Sequence, residues 1–129
     1  MKAVIDTNVI VSAFLSSHGK PAAILHLFFN DEIQVCYSDD ILAEYEDVLS
    51  RPALNIKPEK VARFFDILRE AGTQVVPIES NDPLPDEDDR TFYDTAQQSG
   101  AILITGNVKH FPSESFIKTP SDFLELIHY

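Results

Sequence analysis

Two apolar runs in this chain end in side chains that carry oxygen donors. Ala3-Val4-Ile5 leads into Asp6-Thr7-Asn8, and Ala101-Ile102-Leu103-Ile104-Thr105 leads through Gly106 to Asn107. Each run reads as a buried strand that delivers its polar end to the carboxyl edge of a sheet, where open parallel sheets bind ligands. A third donor, Asp89, lies near the start of a helical segment. At about 100° per residue it points with Phe92, Tyr93 and Ala96, the inward stripe; Asp88 points about 100° away and Asp94 lies on the opposite side. An unpaired carboxylate aimed inward is costly unless a cation or several donors meet it. Asp89 therefore reads as a site residue, whereas Glu87 and Asp88 suit first-turn acids that serve the helix dipole. For Asp6 and Asn8 a second reading stays open, an Asx turn or a helix cap.

If the two strands are neighbours at the switch point of a doubly wound sheet, Asp6, Asn8, Asp89 and Asn107 meet at one edge. Oxygen-only donors of this kind suit Mg²⁺ or Mn²⁺, which keep several waters and take a few carboxylates. Zinc is disfavoured: the one cysteine, Cys36, sits in a strand-like run, and His18, His26, His110 and His128 are scattered without ligand spacing. The chain has neither a Gly-rich phosphate loop nor a nucleophilic-serine elbow. A further acid borders the apolar stripe of the helix after Ser38, but periodicity does not choose between Glu44 and Glu46. For a solitary helix-face Glu the default is solvent.

The elements that must position these groups alternate between strand and helix. A helix follows the first strand over Val9–Leu15, and Pro21 opens a second, running to Phe29. Ile33–Tyr37 is a strand, Ser38 an N-cap, and the next helix runs to about Leu49, stopped by Arg51-Pro52. Another helix runs from Lys57-Pro58 to Gly72, then a strand over Thr73–Ile78. Asn81–Asp86, with two prolines, is a loop. A helix over Glu87–Gln98 precedes the strand Ala101–Thr105; an edge strand is expected at Phe116–Thr119 and a last helix after Pro120. This pattern predicts an α/β protein, a three-layer α/β/α sandwich with a central, mostly parallel sheet and right-handed crossovers, in one domain over residues 1–129.

Composition narrows the function classes. With 129 residues, 44% hydrophobic and 24% charged, the chain has the make-up of a soluble globular domain. No apolar run approaches the ~20 residues of a membrane span. A single cysteine and the lack of a signal-like N-terminus point to the cytoplasm. The net charge of −11 opposes nucleic-acid binding through overall electrostatics and favours cations or a basic partner. Much of that charge is local: seven acids lie between Glu79 and Asp94 against one Arg90.

Taken together, these stretches resemble the PIN domain, a metal-dependent nuclease fold common in bacterial toxin–antitoxin pairs. Val4-Ile5-Asp6-Thr7-Asn8-Val9-Ile10-Val11-Ser12 is similar to the family's first-strand motif, with Asp6 in the place of its first acid. Ser38-Asp39-Asp40-Ile41-Leu42-Ala43-Glu44-Tyr45 resembles the second motif and puts the second acid at Glu44. Asp89-Arg90-Thr91-Phe92-Tyr93-Asp94-Thr95-Ala96 and the later Thr105-Gly106-Asn107 resemble the third and fourth motifs. The third acid falls on Asp89 and the fourth acid's place on Asn107. The resemblance covers the whole chain in order and is nearest to toxin components with an extended Asp-rich loop before the third acid. One departure stands out: Asn107 occupies a position where many members carry Asp, so one negative charge is missing.

The resemblance implies hydrolysis of RNA phosphodiesters by a metal-activated water. Asp6, Glu44 and Asp89 would hold Mg²⁺ or Mn²⁺ together with Asn107, while Thr7 and Asn8 support the ligands from behind. It also implies a cognate antitoxin as partner. Lys109 and His110 are the expected contacts to the RNA backbone, with Arg51, Lys57, Lys60 and Arg63 as a second basic group. Leu25, Phe28 and Phe29 are candidates for a homodimer face or for the core. Two alternatives remain: a haloacid-dehalogenase-like phosphatase, which needs an Asp where Asn8 stands, and an inactive PIN-like binding module.

Overall fold

In the computed structural model, which describes residues Met1–Tyr129, five strands form one sheet in the order β3-β2-β1-β4-β5, with every pair parallel. The strands are β1 (Lys2–Ile5), β2 (Gln34–Tyr37), β3 (Thr73–Gln74), β4 (Ile102–Ile104) and β5 (Ile117–Lys118). The helices are α1 (Thr7–Leu15), α2 (Lys20–Phe29), α3 (Asp39–Leu49), α4 (Pro58–Ala71), α5 (Arg90–Ser99) and α6 (Pro120–Leu126). In β1, Ala3, Val4 and Ile5 are all fully buried. Successive strand residues face opposite sides, so both faces of the sheet are covered, which makes the fold a three-layer α/β/α sandwich. Aromatic rings then knit the helices to one another: Tyr45 of α3 contacts Phe64 of α4 and Phe92 of α5.

The element boundaries follow local chemistry. Ser38 caps α3, its hydroxyl accepting the Ile41 N–H at 3.2 Å. Gly100 closes α5 in the left-handed conformation at φ 68°. Gly72 ends α4 for a different reason: its φ is −75°, but a Cβ there would stand 2.4 Å from the Leu68 carbonyl oxygen. Helix α1 begins two residues before the Val9 expected from the apolar run, directly after Asp6.

Two expectations need correction. The third strand does not reach Ile78: it pairs only through Thr73–Gln74, with the Val75 N–H reaching the Tyr37 carbonyl at 2.7 Å. Pro77 has no N–H to give a ladder, and Val76 and Ile78 are 87% and 79% exposed, so nothing holds these residues in the sheet. Asp94 is not on an outward face but is 2% exposed. The segment that leaves β3 crosses α5 and covers it, a tertiary arrangement that helix periodicity does not encode.

Among the apolar candidates, Leu25 and Phe28 are core, and Phe29 is 40% exposed. Cys36 is a fully buried core residue. No helix is long and apolar enough to cross a membrane.

Candidate active site

β1 and β4 are adjacent and in register, Ile5 opposite Ile104, so the residues that follow them, Asp6 and Thr105, emerge side by side. The ladder extends one step further through the Asp6 N–H to the Ile104 carbonyl at 2.9 Å. Asp6 stands at the N-cap position of α1, yet its side chain makes no capping bond. Its carboxylate instead accepts the Thr105 hydroxyl at 2.7 Å, and Thr105 Oγ1 accepts the Asn107 N–H at 3.0 Å. Thr105 is fully buried and ties the two strand ends together. Its place follows from pairing the two apolar runs end to end, which sets Thr105 opposite Asp6.

The carboxylate of Glu44 accepts the hydroxyl of Thr7, the first residue of α1. Its rival Glu46 is exposed and pairs with Arg69 at 3.2 Å. The structure thus separates two acids that periodicity left equivalent. Tyr45, beside Glu44, is fully buried and donates its hydroxyl to the Ile5 carbonyl, pinning α3 against the end of β1. Burial, reinforced by the charges of Asp6 and Glu44, holds the Tyr45 hydroxyl well above its usual pKa, so it remains a donor.

Asp89 lies in a 3-10 turn, Glu87–Asp89, that leads into α5. Its Oδ2 is buried without a hydrogen-bond partner. Burial raises its pKa to about 6, with the charges of Asp6 and Asp86 adding to the effect and Glu44 contributing less. Burial also raises Asp6 above the ordinary carboxylate value, against the opposing pull of the Thr105 hydrogen bond. The charges of Asp6 and Glu44 thus both reach Asp89 and disfavour its ionisation. Asp86, exposed and capping the turn by accepting the Asp88 N–H at 3.0 Å, adds its charge at Asp89.

Asn8 Oδ1 is likewise buried and unpartnered, and its amide lies against Gly106, where an added Cβ would come within 3.7 Å of Nδ2. Asn107 is exposed and joins the site through its backbone N–H rather than through any side-chain bond. Lys109 and His110 follow on an exposed 3-10 turn, and the charge of His110 is felt by both Asp6 and Asp89. The second basic group does not gather. Arg51 pairs with Asp47 at 3.0 Å, while Lys60 and Arg63 line a separate groove between α1, α2 and α4.

The donors fit a hard divalent cation in kind: carboxylate and amide oxygens, two of them buried with no partner. Their spacing is wider than shared direct ligation, since no three His, Cys, Asp or Glu side chains are gathered tightly enough to grip one ion. A cation that keeps most of its waters can bridge such a gap.

A parallel α/β sheet with one acid, Asp6, at the carboxyl end of its middle strand and two more, Glu44 on α3 and Asp89 before α5, on the elements beside it has its polar groups where open sheets bind ligands. The family comparison agrees with it: the PIN domain model matches residues 2–109, and the chain belongs to the PIN-domain family, whose members are generally nucleases and usually use divalent metals. It is similar to the uncharacterized protein MJ1680 of Methanocaldococcus jannaschii, 36% identical over 110 residues, which cover 83% of this chain and 71% of that protein. No solved structure matches.

Proposed function

We propose that this protein is a Mg²⁺- or Mn²⁺-dependent endoribonuclease and the toxin of a type II toxin–antitoxin pair. The observation that carries the reading is the buried, unpartnered Oδ2 of Asp89, an acid that the charges of Asp6 and Glu44 both reach. A buried carboxylate oxygen with no partner and other acids' charge upon it is costly in an isolated fold and favourable beside a cation. When bound, the metal supplies a lowered pKa to its water and charge neutralisation to the scissile phosphate. Asp6, Glu44 and Asp89 would hold it, with the Asn107 side chain as a neutral fourth donor. Thr105 and Thr7 fix the Asp6 and Glu44 carboxylates through their hydroxyls. Lys109 and His110 face the RNA backbone, supplying positive charge at a site that otherwise repels phosphate.

The antitoxin and the homodimer rest on surface chemistry. The groove lined by Phe14, Leu25, Phe29, Phe64 and Ile67, with Lys60 and Arg63 on its rim, offers an apolar seat for a partner. A second reading, a PIN-like module that binds without cutting, is favoured by Asn107 and by the wide spacing of the acids. One experiment separates the two. Purified protein is incubated with structured RNA and Mn²⁺, beside Asp6→Asn and beside an EDTA control. Cleavage that requires both the metal and Asp6 is expected. Equal cleavage by Asp6→Asn, or cleavage in excess EDTA, refutes the nuclease assignment, and RNA binding without cleavage supports the module.

A further inference from the structure

Arg90, Asp94 and Gln98 recur at four-residue spacing and so form one stripe along α5. All three bind the segment 78–82, which crosses over the helix. Asp94 accepts both the Ser80 N–H at 2.9 Å and the Ser80 hydroxyl at 2.5 Å. Arg90 donates to the Ser80 carbonyl and hydroxyl at 2.8 and 2.9 Å and to the Asp82 carbonyl at 2.7 Å. The same guanidinium holds Glu87 at 2.7 and 2.8 Å and lies 3.9 Å from Asp94. Gln98 bonds both the N–H and the carbonyl of Ile78, replacing the strand partner that the chain loses after β3.

This clasp is unusual for what it holds. A carboxylate buried to 2% exposure is spent on the middle of a segment that touches the core only at its ends, through Val75 and Leu84, while Val76 and Ile78 face solvent. Little hydrophobic gain accompanies the cost at Ser80 itself. The segment leads to one destination: Asp86 and the Glu87–Asp89 turn, which carry two of the acids at the candidate site. The Arg90 side chain grips that turn through Glu87 and grips the crossing segment, a strap over α5, through Ser80 and Asp82, so one guanidinium links the two.

We propose that Arg90 and Asp94 are positioning residues: by clasping Ser80 and Asp82 they fix the strap, and through it the turn that holds Asp89 facing Asp6. This inference rests on the metal-site reading above.

The test uses the full chain with Asp94→Asn and with the milder Ser80→Ala, which deletes only the hydroxyl shared by Asp94 and Arg90. Hydrogen exchange of residues 78–89 is compared with that of β1 and β4. Mn²⁺ binding is measured by calorimetry, and RNA cleavage is resolved into kcat and KM. Faster exchange confined to 78–89 is expected, with Mn²⁺ affinity and kcat each lowered about tenfold and KM changed less than about twofold. Ser80→Thr, which keeps the hydroxyl, restores them. A loosened strap with wild-type Mn²⁺ affinity and kcat overturns the inference, as does unchanged exchange in both variants. Loss of affinity only alongside faster exchange in β1 and β4 also overturns it, because the clasp is then merely part of the fold's stability. A wild-type protein that binds no Mn²⁺, or binds it equally well as Asp6→Asn, overturns the metal reading and this inference with it. The two failures are therefore distinguishable.

Discussion

Replacing Asp89 by Asn should stabilise the metal-free protein while destroying its activity. Asp89 titrates at about 6 against an ordinary value of 3.8, chiefly because it is buried and secondarily because Asp6 and Asp86 face it. A folded-state pKa raised above the unfolded one means that the fold binds the proton more tightly than the open chain. The ionised form therefore costs stability, and the cost is absent below about pH 4, grows up to about pH 6 and is full above it. A displacement of about two pH units corresponds to about 3 kcal/mol. The side chain is only partly buried, and solvent screening reduces this to about 1–2 kcal/mol. Asn is neutral at every pH, and its amide nitrogen can sit where Oδ2 has no partner. Urea denaturation in EDTA at pH 7.5 should show Asp89→Asn more stable than wild type by about 1–2 kcal/mol, with the gap closing by pH 4. Excess Mn²⁺ should reverse the order, because only the carboxylate gains from the cation. A variant less stable than wild type at pH 7.5 without metal, or a gap independent of pH, refutes the crowding argument.

Two further outcomes follow from the same geometry. Thr105→Val removes the hydroxyl that bonds Asp6 and receives the Asn107 N–H, leaving the buried Asp6 carboxylate without that donor and the strand end untied. A loss of about 1–3 kcal/mol in chemical denaturation is expected, with cleavage slowed about tenfold or more in the fraction that folds. Asn107→Asp returns the missing fourth charge at an exposed position and should tighten Mn²⁺ binding several-fold, measured by calorimetry, with little change in melting temperature. Unchanged binding would show that the position lies outside the metal's reach.

Much of the fold could be read from the sequence because its signals are local. Continuous apolar runs in β1 and β4 meant strands covered on both faces, and Ser38, Pro58 and Gly100 punctuated helices by chemistry that acts within a few residues. β3 was overextended because Val75, Val76 and Ile78 have strand-forming side chains, whereas pairing depends on whether a neighbouring edge is there to meet them. The site divided in the same way. Asp6 and Asp89 were visible as acids where apolar patterning expects none. Glu44 and Glu46 were equivalent on their helix until Thr7 and Arg69, both distant in sequence, chose between them.

By itself the sequence determined the alternation of strands and helices, the parallel sheet and the two strand ends that carry Asp6 and Asn107, since all depend on residue type and short-range period. The tertiary structure decided which hydroxyl meets which carboxylate, the burial of Asp94 beneath the strap, and the proximity of Asp86 to Asp89. Those are facts about surfaces brought together across many residues: an acid's neighbours, and hence its pKa and its use, are set by what the fold packs against it.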